Sequence, residues 1–291
     1  MKKPLFLGVA TAIVTPFGKD GVDYTVFGSL IRRQLIGGVT TIVVASTTGE
    51  GYALDTEEKT KLIRYAKTIM AGRGLVLCGL MAHTPRMAAH LAKQYEEAGA
   101  DGLLAMTPYC TGATREGVLA YYTTLTEATH LPVLVYHVPQ RTGVTLGVDD
   151  YIALAKLPRI VGCKEADNNL YTLGRLPSIM PFYAGQDELI LPMMAFGGVG
   201  VVSVLSNLFP CEMVHFVALC AKGHFKEAIT LWNKLAPISE ALRHATNPMP
   251  IKAAMAAVGL CENTLCPPLS PLRTPEGEWR ACLGSRKGEP V

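Results

Sequence analysis

Short apolar runs rich in β-branched residues alternate with longer amphipathic stretches along most of the chain. Runs of the first kind predict eight strands, over residues 7–13, 41–45, 75–79, 102–106, 133–137, 160–164, 182–184 and 201–204. Apolar residues at helical spacing between these runs predict helices, most clearly over 56–70, 84–98 and 115–128. Strand and helix therefore alternate through about the first 220 residues.

The strand runs are continuously apolar, which indicates burial on both faces and therefore a parallel sheet. Eight strand–helix units predict an α/β fold, a (β/α)8 TIM barrel. An open doubly wound sheet is the alternative, but no G-x-G-x-x-G motif for a dinucleotide follows the first strand. Beyond residue 223 the strand pattern stops, and residues 224–241 and 251–258 are typical of helices. We therefore predict a barrel over 1–223 and a C-terminal helical appendage over 224–291.

Two apolar segments allow other interpretations. Residues 1–14 begin with two lysines before an apolar run, as a signal peptide does, but they equally predict the first buried strand. Residues 189–211 carry no charge and are long enough to cross a bilayer. Two prolines and three glycines interrupt them, and such a helix would expose backbone groups to lipid. A short helix followed by a strand is the better prediction, without a membrane contact.

Composition limits the class of function. The chain has 291 residues, with 27 basic and 24 acidic side chains, so it lacks the basic surface of a nucleic-acid-binding protein. Its eight cysteines form no C-x-x-C pair and its histidines show no metal-ligand spacing. This pattern is typical of reduced thiols in a cytoplasmic protein that holds no metal ion. We expect a protein that acts on small molecules.

Lys164 is the strongest candidate for chemistry, because it is the only lysine inside a predicted strand. Burial favours the neutral amine, which is the nucleophile that attacks a ketone to form an imine. The alternative is a lysine whose stem packs while its ammonium reaches the barrel mouth or pairs with Glu165. Residue pattern alone does not decide between the two.

Other reactive side chains fall at the predicted strand ends, where the active site of a barrel lies. Tyr136 ends the strand next to that of Lys164, and Thr47 and Thr48 follow the second strand. The tyrosine could move protons, and the hydroxyls could hold a carboxylate. Arg141 could clamp a second carboxylate. Each also has an ordinary structural interpretation: a packed tyrosine, a capped turn and a surface salt bridge.

Taken together, Thr47-Thr48-Gly49-Glu50, Tyr136 with Arg141, and Gly162-Cys163-Lys164-Glu165 carry a resemblance. The sequence is similar to the dihydrodipicolinate synthase / N-acetylneuraminate lyase family, from the run 12–17 to the Asn-Pro-Met-Pro run at 247–250. These are Schiff-base-forming pyruvate aldolases on a (β/α)8 barrel with a C-terminal helical domain, and they need no cofactor.

The resemblance implies a role for each matching residue. Lys164 would form the imine with pyruvate, Tyr136 would give and take protons, and Thr47 would join the proton relay. Thr48, Val202 through its main chain, and Gly185 would contact substrate. Arg141 would bind the carboxylate of L-aspartate 4-semialdehyde, which implies a synthase on the route to diaminopimelate and lysine. The alternatives are release of pyruvate from a 2-keto-3-deoxy sugar acid, 4-hydroxy-2-oxoglutarate or N-acetylneuraminate, and a barrel that has lost catalysis.

Two positions depart from the family pattern. Cys110 stands where synthases carry a second tyrosine that reaches the neighbouring subunit's relay, whereas Tyr109 keeps the first. A thiol is a weaker hydrogen-bond partner than a phenol. Met87 stands where members inhibited by lysine carry a carboxylate. Met87 therefore predicts weak or absent inhibition by lysine. The resemblance itself implies a homo-oligomer, either a dimer or a homotetramer built as a dimer of dimers.

Overall fold

A computed structural model describes residues 2–273 and 279 of the chain. The strands are β1 (Gly8–Ala12), β2 (Phe17–Gly18), β3 (Gly21–Val22), β4 (Thr41–Val44), β5 (Leu75–Leu80), β6 (Gly102–Met106), β7 (Val133–His137), β8 (Ile160–Glu165), β9 (Phe182–Ala184) and β10 (Gly200–Ser203). The helices are α1 (Tyr24–Ile36), α2 (Thr56–Met70), α3 (Pro85–Glu97), α4 (Arg115–Glu127), α5 (Pro139–Thr142), α6 (Val148–Ala155), α7 (Leu170–Arg175), α8 (Ile190–Ala195), α9 (Pro210–Ala221), α10 (Phe225–Ala241) and α11 (Met249–Ala257).

Eight of these strands close into a parallel barrel, in the order β1-β10-β9-β8-β7-β6-β5-β4. Closure comes from β1, which pairs in parallel with β10 on one side and with β4 on the other. The barrel prediction is therefore confirmed against the open-sheet alternative. The first strand lies within residues 7–13, as the apolar run predicts.

The sequence prediction misses the antiparallel hairpin of β2 and β3. Each strand has two residues, too few to show a period. Helix α2 begins at Thr56 as predicted, but the capping residue is Asp55, whose side chain accepts from the Glu58 backbone while the Glu58 side chain accepts in return. Such a capping box satisfies two N–H groups of the first turn.

Side chains of the barrel strands alternate between two apolar layers. The interior holds side chains such as Ala10, Val43, Leu104 and Val202, and a second layer packs between the strands and the helices. Cys163 lies in the outer layer with no exposed surface. Because neighbours on a strand face opposite ways, Lys164 faces the inside of the barrel, as expected.

The C-terminal part of the chain borders the barrel at the carboxyl ends of its strands. Helix α9 packs on β1 and completes the ring of helices, and α10 and α11 are helical, as expected for this region. Residues 274–278 and 280–291 of the predicted appendage lie outside the described residues. Residues between the end of α10 and the start of α11 border the cavity at the carboxyl ends of the strands. Residues 189–211 are divided among α8, β10 and the start of α9. Among the described helices, none is both long and apolar enough to cross a membrane.

Candidate active site

A cavity of about 430 Å³ lies at the carboxyl ends of the barrel strands. This volume suits a small-molecule site, and the carboxyl end is where barrel enzymes place their chemistry. Among the residues predicted for the site, those that line the cavity are Thr47, Thr48, Tyr136, Arg141, Lys164 and Gly185. The structure thus brings together side chains from four strand ends and their loops.

Lys164 lies in the wall of this cavity and is only 4% exposed. Tyr136 on β7 is its direct partner in the β7–β8 register, and the Lys164 Nζ lies 4.1 Å from the centre of the Tyr136 ring. The predicted adjacency of the two residues is confirmed. Glu165, the alternative partner of Lys164, is engaged elsewhere, because its carboxylate accepts from His137 Nδ1 and from the Tyr151 hydroxyl.

The hydroxyl of Thr47 is buried and has no hydrogen-bond partner among the described residues. The direct Thr47–Tyr136 hydrogen bond that a complete relay requires is therefore not formed within this chain. The hydroxyl of Ser46, also in the cavity wall, is equally buried and unpaired within the described part of the chain. Buried hydroxyls usually form a hydrogen bond, so the hydroxyls of Ser46 and Thr47 are available to bind a substrate.

Asn247 connects two of the predicted substrate contacts. Its side-chain amide donates to Thr48 Oγ1 at 2.9 Å, and its backbone carbonyl accepts from Arg141 Nη2 at 3.4 Å. The sequence marks Asn247 only as part of a family motif. Its role in joining the threonine loop to the arginine appears only in three dimensions, because 106 residues separate Asn247 from Arg141 along the chain.

The backbone packing at position 185 requires glycine, which has no side chain. A Cβ there would lie 2.7 Å from the Glu165 carbonyl oxygen, so the close approach of β8 and β9 requires glycine. Asp187, which the sequence gives no reason to single out, also lines the cavity and accepts from the backbone N–H groups of Val204 and Leu205. Burial raises the pKa of its carboxyl, and these hydrogen bonds, with one from Ser203, oppose the rise.

A buried network lies on the outer side of β7 and β8, behind Tyr136 and Lys164. His137 Nδ1 and Glu165 lie 2.7 Å apart, and His137 Nε2 accepts from the backbone N–H of Leu146. With Nε2 accepting, Nδ1 carries the proton and donates to the carboxylate. His137 is thus held by a hydrogen bond on each ring nitrogen.

Two predicted site residues lie outside the cavity lining. The side chain of Val202 is fully buried in the barrel interior, and the contact predicted for Val202 is through its main chain; Val204, two residues later, lines the cavity. Cys110 is exposed on the loop after β6, in a left-handed backbone conformation with φ of 67°. Neither side chain reaches the cavity from within this chain, so a role for Cys110 requires a second subunit.

Comparison with known proteins decides the family. The model of the dihydrodipicolinate synthetase family matches residues 5–279. The chain is 38% identical over 270 residues to the 4-hydroxy-tetrahydrodipicolinate synthase of Magnetococcus marinus, covering 91% of this chain and 92% of that protein. The chain belongs to the dihydrodipicolinate synthetase family.

Solved structures of the family agree with this fold. The dihydrodipicolinate synthase of Thermotoga maritima superposes with a TM-score of 0.93 at 35% identity, covering 96% of this chain and 98% of that one. A chloride-inhibited dihydrodipicolinate synthase from Acinetobacter baumannii, solved in complex with pyruvate, gives a TM-score of 0.92 at 35% identity, with 95% and 97% coverage. The predicted family, fold and enzyme class are confirmed, and the chain is a lyase of the synthase type.

Proposed function

We propose that this chain condenses pyruvate with L-aspartate 4-semialdehyde through a Schiff base on Lys164, giving 4-hydroxy-tetrahydrodipicolinate. The observation that carries the proposal is the buried Lys164 amine against the Tyr136 ring in the cavity wall. A class I aldolase requires such an amine, held away from bulk water beside a proton-transferring group. The names of the related proteins support the same reaction.

The chemistry follows from the electronic character of an imine. Lys164 Nζ attacks the ketone carbon of pyruvate, and the ketone oxygen leaves as water. The protonated imine accepts the electron pair of a methyl C–H bond, so the proton leaves and an enamine forms. The enamine carbon then forms a bond to the aldehyde carbon, whose oxygen takes up a proton. Finally, the amino group of the second substrate attacks the imine carbon and releases Lys164 on closing the ring.

Residues around Lys164 match the needs of these steps. Tyr136, whose ring lies 4.1 Å from Lys164 Nζ, would carry protons to and from the oxygen that leaves. The Thr48 hydroxyl accepts from Asn247, so its own proton remains available to a pyruvate carboxylate. Thr47 and Gly185 border the same space. The main chain at Val202 lies on β10, two residues before the cavity-lining Val204.

Arg141 supports an acidic second substrate. Two arginines line the cavity, Arg141 and Arg243, and Arg243 forms an ion pair of 3.0 Å with Glu188. Within the described residues, Arg141 has no carboxylate partner. Its guanidinium is therefore available for bidentate recognition of a substrate carboxylate.

The proposal is tested by a coupled assay with pyruvate and L-aspartate 4-semialdehyde, in which an NADPH-dependent reductase consumes the product. Lys164→Ala is the blank, and Arg141→Met is compared with Arg243→Met. We expect turnover that disappears in the blank, and an increased KM for the semialdehyde in Arg141→Met with an unchanged KM for pyruvate. Wild-type protein without turnover refutes the synthase reaction.

The competing function is cleavage of a keto acid that releases pyruvate. Cys110 favours it, because the relay tyrosine of synthases is missing at that position. Keto-acid cleavage uses the same imine on Lys164. It is tested by measuring pyruvate release from 2-keto-3-deoxy sugar acids, 4-hydroxy-2-oxoglutarate and N-acetylneuraminate. Release from one of these, without condensation, favours the alternative.

The proposed assembly is a cytoplasmic homotetramer, a dimer of dimers. Tyr52, Met87 and Cys110 are exposed on segments that follow the neighbouring strands β4, β5 and β6. A second exposed apolar group, on α7 and after α8, consists of Leu170, Tyr171 and Phe196. Contacts at two separate surfaces are what a dimer of dimers requires.

Weak inhibition by L-lysine is part of the proposal. Met87, 42% exposed, provides no negative charge for the ammonium of a lysine ligand. Calorimetric titration with L-lysine is expected to show no binding below millimolar concentration. Tight binding would contradict this part of the proposal.

A further inference from the structure

A second lysine, Lys252, is buried more completely than Lys164. It lies on α11 and has no exposed surface. Its ammonium contacts the carboxylate of Glu50, donates to the Thr264 carbonyl at 2.7 Å and lies 4.2 Å from the centre of the Phe17 ring. Burial lowers the pKa of Lys252, and the charge of Glu50 opposes this effect.

Glu50 is the last residue but one of the threonine loop, residues 46–51, and is also fully buried. Its second carboxylate oxygen accepts from the backbone N–H of Cys266 at 2.8 Å. Its own backbone N–H donates to the Thr47 carbonyl at 3.2 Å, and its φ is 53°. The position of the Glu50 carboxylate is thus coupled through a tight turn to Thr47.

The threonine loop is a compact turn, so Glu50 and the threonines move together. Gly51 donates to the Ser46 carbonyl, which closes the turn. A Cβ on Gly51 would lie 1.9 Å from the Ala45 carbonyl oxygen, so the turn packs directly on the end of β4. Movement of Glu50 would therefore be transmitted to the threonines that precede it.

Helix α11 and the segment before it contact this loop at two places. Lys252 holds Glu50 at the back of the loop, and Asn247, five residues earlier, donates to Thr48 at the front. The Asn247 carbonyl also accepts from Arg141. The stretch from Asn247 to Lys252 therefore contacts the proposed pyruvate site and the proposed site of the second substrate.

We propose that the Glu50–Lys252 ion pair is a positioning element of the active site. It fixes the distance between α11 and the threonine loop, and so aims Thr48 at the carboxylate of the substrate bound to Lys164. The inference rests on the proposed function. Neither residue touches the cavity, so both act through the residues that do.

The physical chemistry of buried ions gives the proposal a specific test. Removing one partner leaves an isolated charge in the interior, which destabilises the fold regardless of any role in catalysis. Replacing both partners by neutral groups of similar size removes that penalty. The double variant Glu50→Gln/Lys252→Met therefore separates the geometry of the loop from the stability of the fold.

The experiment compares the wild type, this double variant and Lys67→Met. The control removes an ion pair of 2.6 Å with Asp101 that lies away from the cavity. Each protein is assayed for its KM for pyruvate, its kcat, and the fraction of chains trapped by borohydride at saturating pyruvate. We expect full trapping in the double variant, a KM raised about tenfold or more, and a kcat within about threefold of the wild type. The control keeps the wild-type KM.

A purely structural pair gives a different result, with fewer chains trapped and an unchanged KM for those that remain. That result overturns the proposal. Glu50→Asp provides a second test that does not depend on the double variant, because it keeps the charge and withdraws the carboxylate by one methylene. Glu50→Asp is also expected to raise the KM for pyruvate. Absence of trapping in the wild type refutes the proposed function, whereas wild-type trapping with unchanged KM values in the variants refutes only the positioning role.

Discussion

The hydroxyl of Thr48 is held by one hydrogen bond and still has a proton to donate. Asn247 supplies that bond from its amide, so the oxygen orientation is fixed before substrate binds. A donor fixed in advance loses little conformational freedom on binding a carboxylate, and hydrogen bonds to charged groups are among the stronger ones. Thr48 is therefore expected to contribute to pyruvate affinity.

Replacing Thr48 by valine keeps the shape of the side chain and removes the donor. A hydrogen bond to a charged group is worth about 1.5–3 kcal/mol, so the KM for pyruvate should rise about tenfold or more. Steady-state kinetics at saturating second substrate measure it. The control is Thr126→Val, a buried threonine of α4 that bonds only to carbonyls of its own helix. An unchanged KM in Thr48→Val would contradict the assignment.

At the scale of single residues, the sequence identifies groups that interrupt an apolar pattern. Lys164 is visible because a cation within an apolar strand is unusual. Lys252 is not, since it falls in the predicted helix 251–258, where a lysine is ordinary. The hydrogen bond between Asn247 and Thr48 spans 199 residues, and no local pattern indicates a contact of that separation.

At the scale of elements, the turn after β4 determines where the threonines lie. Glu50 N–H donates to Thr47, Gly51 N–H donates to Ser46, and Thr15 Oγ1 donates to the Gly49 carbonyl at 2.7 Å. A Cβ at Gly49 would lie 2.9 Å from the carbonyl oxygen of Ile13. Both glycines are therefore required by the close approach of this turn to β4 and to the end of β1.

Gly51→Ala is expected to disrupt this turn. The new Cβ would lie 1.9 Å from the Ala45 carbonyl oxygen, and a backbone atom moves less readily than a side chain. We expect a loss of about 3 kcal/mol or more in unfolding free energy, together with a raised KM for pyruvate. Thermal unfolding and kinetics provide the measurements.

The matched control is Gly117→Ala on α4. The nearest atom to a Cβ there is the Thr114 hydroxyl oxygen at 3.4 Å, so alanine fits, and it favours the helix by up to about 1 kcal/mol. Equal melting temperatures for the two variants would contradict the role assigned to Gly51.

Elements are predictable from sequence where the apolar run is long enough to show its period. The strands 102–106, 133–137 and 182–184 have the predicted bounds, and the other barrel strands differ by one residue at one or both ends. Short helices such as α5 and α7, and the hairpin of β2 and β3, contain too few residues for such a pattern. The boundary between barrel and appendage at residue 223 stays a prediction.

At the scale of the whole molecule, exposed thiols provide a test of assembly. Cys110 and Cys211 are both exposed in the single chain. Cys110 belongs to the exposed group with Tyr52 and Met87 that is proposed as one subunit interface, whereas Cys211 lies at the start of α9. Burial raises the pKa of Cys220 and of Cys261 to about 11, which makes these two thiols slow internal references.

Alkylation at pH 8, followed by peptide mass spectrometry, is expected to modify Cys211 quickly. Only about one in 1,000 molecules carries a thiolate at pH 8 when the thiol pKa is near 11, so Cys220 and Cys261 should react far more slowly. As long as the pH stays below that pKa, their alkylation rates should rise about tenfold for each unit by which the pH is raised. Cys110 should react like Cys211 in dilute protein and be protected at concentrations where the oligomer forms. Equal rates for Cys110 and Cys211 at all concentrations would contradict the proposed interface.

Borohydride reduction detects the covalent imine that Lys164 is proposed to form with pyruvate. Protein is incubated with pyruvate and borohydride, digested, and mapped by mass spectrometry, with Glu50→Gln/Lys252→Met as the control for a second buried lysine. We predict one reduced pyruvate adduct per chain, on Lys164, present in the double variant and absent from Lys164→Ala. An unmodified wild-type protein, or an adduct that persists in Lys164→Ala, would contradict imine formation on Lys164.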